Sequence, residues 1–127
     1  MTPQVRLLLA VGAFSAMLAV MFGAFGAHAL RARLTPELLV VYHTGAQYQF
    51  YHSLGILLVG ILAVLLPERT GLLWAGWLMV AGIVLFSGSL YALALSGVRV
   101  LGAITPLGGL AFIASWLVVA ISILRRV

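Results

Sequence analysis

The sequence predicts an all-α integral membrane protein: a four-helix bundle whose second helix extends beyond its membrane span. Three observations predict it. The chain of 127 residues is 65% hydrophobic with a mean hydropathy of +1.25, far above the range of a soluble domain of this size. Charged residues make up only 7%. The apolar residues fall in four runs, at about 7–27, 46–66, 72–95 and 104–124, each long enough to cross about 30 Å of hydrocarbon. Residues 1–127 therefore read as a single transmembrane domain.

The first run, Leu7 to Ala27, contains 21 residues with Ser15 as its one polar member. Arg6 ahead of it and Ala27-His28-Ala29 after it imitate a cleavable signal, but the run exceeds the 7–15 residues of a signal core. It reads as a span. The second helix is announced by Thr35 as N-cap, Pro36 at the first helical position and Glu37 in the first turn. No breaker follows before Leu66, and a helix of that length would reach about 46 Å, more than the hydrocarbon is thick. Residues 36–45 are thus expected in or above the headgroup region, with a bend near Gly45 and the polar residues that follow at the mouth of the bundle.

Pro67-Glu68-Arg69-Thr70-Gly71 reads as a tight turn into the third span. In that span Trp74, Trp77 and Tyr91 are expected at the two interfaces. A loop with Ser96, Gly97, Arg99 and Gly102 leads to Thr105-Pro106, a second cap-and-proline signal for the fourth helix. Trp116 lies deeper and is expected in a helix contact.

The net charge of +5 comes from seven Arg against Glu37 and Glu68. Arginines placed singly or in pairs between apolar runs point to lipid headgroups and topology, not to nucleic acid. Arg6, Arg69, Arg125 and Arg126 share one side and Arg31, Arg33 and Arg99 the other, which favours both termini in the cytoplasm. The absence of cysteine excludes disulfides and thiolate-bound metal. With no Asp, Glu68 beside Arg69 and Glu37 four residues after Arg33, no carboxylate pair is placed for hydrolysis, and no enzymatic activity is expected. Gly23-Ala24-Phe25-Gly26 and Leu107-Gly108-Gly109 lack the strand, Lys and Ser/Thr of a phosphate loop and read as packing glycines.

The one dense polar cluster is Tyr42-His43-Thr44-Gly45-Ala46-Gln47-Tyr48-Gln49-Phe50-Tyr51-His52. Polar groups in a membrane need partners, because lipid offers none. At 100° per residue His43, Gln47 and Tyr51 form one row, with Thr44, Tyr48 and His52 beside it. His43 and His52 point to opposite sides, so this helix alone cannot present both to one metal. His28, at the end of the first helix, is expected to meet His52 in one cavity, with Tyr48 or Gln47 supplying hydrogen bonds. The candidate ligand-binding residues are His28, His43, Gln47, Tyr48, Tyr51 and His52. No catalytic residue, metal site or cofactor is expected: two His could hold haem in a bundle, but nothing else marks a haem pocket, and Met17 with Met21 reads as packing, not copper ligation. Small residues at four-residue intervals, among them Gly12, Ala16, Ala19, Gly23 and Ala27, suit close helix packing within a subunit or between subunits, and a homo-oligomer is expected.

Gly-Ala-Phe-Gly-Ala-His-Ala-Leu at 23–30, the Tyr/Gln/His run at 42–52 and Ile-Thr-Pro-Leu-Gly-Gly at 104–109 together resemble the domain-of-unknown-function 423 family of small membrane proteins. The likeness covers nearly the whole chain. It implies a bacterial inner-membrane protein, multi-pass, with relatives among small eukaryotic transmembrane proteins, and it brings no established activity or ligand residues. The reading that results is a non-enzymatic oligomeric scaffold, or a module whose polar mouth engages a lipid headgroup or an amphiphile. Membrane lipids and further copies of the chain are the expected partners. The rivals are a small proton- or solute-conducting oligomer using His28, Tyr48 and His52 as a relay, and a haem- or metal-binding redox subunit.

Overall fold

The computed structural model describes residues 1–125. Arg126, counted above for topology, and Val127 lie outside the described residues. Among the described residues four helices are long and apolar enough to cross a membrane: α1 (Pro3–Leu30), α2 (Pro36–Leu65), α3 (Gly71–Ser96) and α4 (Arg99–Leu124).

Helix α1 begins earlier than its apolar run, because Thr2 Oγ1 accepts from the Val5 amide at 3.2 Å and Pro3 occupies the first turn. The same pair of residue types starts α2, where Thr35 Oγ1 accepts from the Leu38 amide at 3.3 Å. The third Thr-Pro does not cap. A 3₁₀ turn over Arg99–Ala103 already leads into α4, so Thr105 is helical when it arrives and its hydroxyl bonds Ser89 of α3 at 2.6 Å instead. Helix α3 stops at Gly97, whose φ of 72° is the left-handed conformation that a Cβ disfavours, with its amide bonded to the Leu93 carbonyl at 2.8 Å. Helix α2 runs as unbroken α-helix through Gly45, so no hinge is built there. Gly45 instead lets Tyr91 approach: a Cβ would stand 3.0 Å from its ring.

Short connections make the helices alternate in direction, and α2 is the centre of the bundle. It packs against α1 on one side and against α3 on the other, while α3 also holds α4. The dry core lies in the half nearest the termini: Val5, Leu8, Ile56, Val59, Ala63, Leu72, Ala75, Met79 and Val119. At that end Arg69 folds onto the last turn of α4. Its Nη1 donates to the carbonyls of Ser122, Ile123 and Arg125, satisfying acceptors that a helix end leaves open. Its Nε meets Glu68 at 3.4 Å, the one salt bridge among the described residues; Glu37 and Arg33, four residues apart, form none there.

Depth follows from the flanking charges. Arg6 and Arg31 are 25 residues apart on α1, about 37 Å at helical rise. Ala19 is at the midpoint, 13 residues after Arg6 and 12 before Arg31. The antiparallel register sets Ala46 beside Gly23, Ser53 beside Ser15 and Ile56 beside Gly12. Only the first residues of the polar cluster are therefore near the mouth. Gln47 to His52 lie near the middle of the membrane, which corrects the placement expected from the apolar run alone.

Candidate functional site

Two polar constellations form on adjoining flanks of α2. Toward α1 and α3, Gln49 is the hub. Its amide donates to the Ser15 carbonyl at 3.0 Å, and its Oε1 accepts from the Tyr91 hydroxyl at 2.6 Å. Ser53 Oγ lies 2.7 Å from Ser15 Oγ and 2.6 Å from the Gln49 carbonyl. Ser87 donates to the Gly45 carbonyl at 2.7 Å. Gln49, Ser53 and Ser87 are buried, and among the described residues no buried side-chain polar atom lacks a partner. A closed network of this kind fixes helix register and leaves nothing for a ligand.

Above it the backbone departs from α geometry in a way that the site uses. Met21–Gly26 of α1 is a π turn, in which the Phe22 carbonyl accepts from the Ala27 amide and also from the Tyr42 hydroxyl, the latter at 2.7 Å. Tyr42 is buried, with its ring 5.4 Å from that of Tyr91, which is half-buried and turns its hydroxyl inward to Gln49. A second π turn, Ile83–Ser87 in α3, presents Phe86 and Ser87 to α2 and α4.

The other flank is aromatic. His52 is buried with its ring 3.5 Å from that of Phe112, nearly parallel at 10°. Trp116 Nε1 donates to His52 Nε2 at 3.1 Å, so that nitrogen carries the lone pair. Nδ1 must then carry the proton, which it directs to the Tyr48 carbonyl at 2.9 Å. Both ring nitrogens are spent on a neutral imidazole, and a metal or a proton relay at His52 would first have to break the Trp116 bond. Tyr48 stands over this group, 4.7 Å from Phe86, half exposed. Its hydroxyl takes no hydrogen bond among the described residues. Tyr48, His52, Phe86, Gly109, Phe112, Ile113 and Trp116 line a half-open cavity of about 410 Å³ among α2, α3 and α4.

Glycine makes this junction possible. A Cβ at Gly108 would stand 2.6 Å from Phe86 Cβ and 2.7 Å from its Cα, so α4 could not lie where it does with any other residue. Gly82 likewise leaves the space that the Phe112 ring fills.

The expected residues thus separate. Tyr48 and His52 share the aromatic cavity. His43 and Gln47 line a different groove with Ala19, Gly23, Ala46 and Phe50, and Gln47 Nε2 bonds Tyr51 Oη at 2.6 Å on the outward face. His28 does not join His52. It is exposed at the end of α1, 13 residues beyond Ser15, the partner of Ser53; that is about 20 Å along the helix. Met17 and Met21 face outward and hold no common site. Among the described residues no three His, Asp or Glu side chains converge on a metal position. Gln49, Tyr42, Ser15, Ser53, Ser87 and Tyr91, none of them among the candidate residues of the sequence, form the inner network. One signal was available: the single polar residue of the first span needs a partner, and Gln49 and Ser53 are one turn apart on one face.

The family described as "Protein of unknown function (DUF423)" matches residues 22–109. The chain is 49% identical over 120 residues to the UPF0382 membrane protein YwdK of Bacillus subtilis strain 168, covering 94% of this chain and 98% of that one. It is 45% identical over 122 residues to a UPF0382 membrane protein of Staphylococcus haemolyticus, covering 96% and 98%. A relative from Staphylococcus epidermidis is 47% identical over 120 residues, covering 94% and 97%. No solved structure matches the chain.

Proposed function

Because the chain belongs to the DUF423 family of membrane proteins, whose description assigns no activity, we propose its function from the site: a non-enzymatic membrane module that holds an amphiphile in the aromatic cavity among α2, α3 and α4. The observation that carries this is Tyr48, half exposed at mid-membrane depth with an unspent hydroxyl donor, which lines a half-open and mostly apolar cavity. Lipid tails cannot bond it, and headgroups lie a half-membrane away. An apolar molecule with one carbonyl, ester or hydroxyl group would fill the cavity and take that bond. His52 has no free nitrogen, so its part is to hold the rings in place. The bacterial relatives, named as membrane proteins, support a plasma-membrane location, the cell inner membrane where there are two, and the arginine distribution favours cytoplasmic termini.

The test is to fill the cavity. A side chain at Gly109 would project toward open space, the nearest atom to its Cβ being Phe86 Cδ2 at 3.9 Å. Gly109→Leu should keep the helical fold while losing an amphiphile that co-purifies with the parent protein in mild detergent, as read by native mass spectrometry. Tyr48→Phe should weaken retention without abolishing it. Identical amphiphile content in all three proteins, or none in any, would refute the reading.

A further inference from the structure

The face of α2 turned away from the aromatic cavity poses a separate problem. His43 and Gln47 are exposed and line a groove of about 390 Å³ on the seam with α1, beside Ala19, Gly23, Ala46 and Phe50. Ala19 marks the membrane midplane, and Gly23 is four residues above it, about 6 Å. Gln47 therefore faces outward well inside the hydrocarbon. Its Nε2 bonds Tyr51, but its Oε1 and one N–H remain unspent, and the His43 ring takes no hydrogen bond among the described residues. Lipid esters sit at the headgroup boundary, about 15 Å from the midplane, and cannot reach Gln47.

We propose that this seam is the surface on which a second copy of the chain docks, with Gln47 and His43 pairing across the junction. Three features favour a second copy over another partner. Copies inserted in one orientation carry Gln47 at the same depth, and an amide with one free donor and one free acceptor is its own complement across a twofold axis. His43, one turn above, is likewise both donor and acceptor. No charged residue lines the groove, so nothing there selects a charged partner. Ala19 and Ala46 are buried and Gly23 packs on Ala46, so these small residues keep the floor of the groove low while Gln47, His43 and Phe50 stand exposed at its edge. The proposal is independent of the amphiphile, whose cavity is on the opposite flank.

The chain has no cysteine, so single cysteines report directly. In native membranes under oxidation, His43→Cys, Gln47→Cys and Phe50→Cys should each give disulfide-linked dimer. Val84→Cys and Leu117→Cys, at 65% and 58% exposure near mid-membrane on α3 and α4, should give less by about fivefold or more. In liposomes, single-molecule counting should show Gln47→Leu self-associating about fivefold more weakly than the parent, with Gln47→Asn between them. Equal cross-linking at Val84 or Leu117, no dimer at position 47, or unchanged association of Gln47→Leu would each overturn the proposal. If Gln47→Leu fails to fold, the cysteine series decides alone.

Discussion

At the scale of single residues, His52 and Gly108 carry the aromatic junction in different ways. His52 contributes one interhelical hydrogen bond to Trp116 and a stacked ring on Phe112. His52→Ala should cost about 1 to 2 kcal/mol of stability in detergent relative to Gln4→Ala, which alters an exposed residue. Equal melting temperatures would mean that the ring is not held as described. Gly108 contributes by absence. Gly108→Ala must push α4 off the Phe86 backbone and should cost about 1 to 3 kcal/mol or more, whereas Gly88→Ala, with nothing within 4 Å of the added carbon, should be nearly neutral. Comparable melting of the two variants would contradict the packing. The motif at 104–109 was visible in the sequence, but its reason was not: the demand for a bare Cα at Gly108 comes from Phe86, more than twenty residues earlier, and no local pattern encodes that approach.

At the scale of elements, what could be read was whatever length and local chemistry decide. Four apolar runs gave four helices, and Thr35-Pro36 located the start of α2 because capping is a local bond. Thr105-Pro106 misled for the complementary reason. A cap requires an extended residue, and here a preceding 3₁₀ turn had already wound the chain, freeing Thr105 to bond Ser89 across helices. The joining of His28 to His52 failed on register. The start of an apolar run does not fix depth, and the Ser15–Ser53 bond sets a register that leaves His28 about 20 Å from His52. The π turns were likewise unreadable, since their stabilising partners come from α2. One element-scale prediction concerns Arg69. Because its two Nη1 hydrogens serve the open carbonyls at the end of α4, Arg69→Gln should destabilise by about 1 to 2 kcal/mol and speed amide exchange in the last turn. Glu68→Gln removes only a surface ion pair and should change melting little. A Glu68 effect as large as that of Arg69 would assign the stability to the ion pair instead.

For the whole molecule, four spans place both termini on one side, and the arginines decide which. Arg6, Arg69 and Arg125 stand at the terminal end and Arg31, Arg33 and Arg99 at the other, so the described residues balance and the choice falls to the N-terminal amine and Arg126. A molecule so evenly charged should respond to small changes. A reporter joined after Val127 should read as cytoplasmic in the parent chain. With Ala29→Arg and Ala32→Arg added at the α1–α2 turn, both on exposed positions, the bias changes sign and the same reporter should move to the far side. The fold need not change for this to happen, because the dry core and the Gln49 network are internal to the bundle and indifferent to its direction in the membrane. A reporter that stays cytoplasmic through both substitutions would show that orientation is set by something other than the arginine balance.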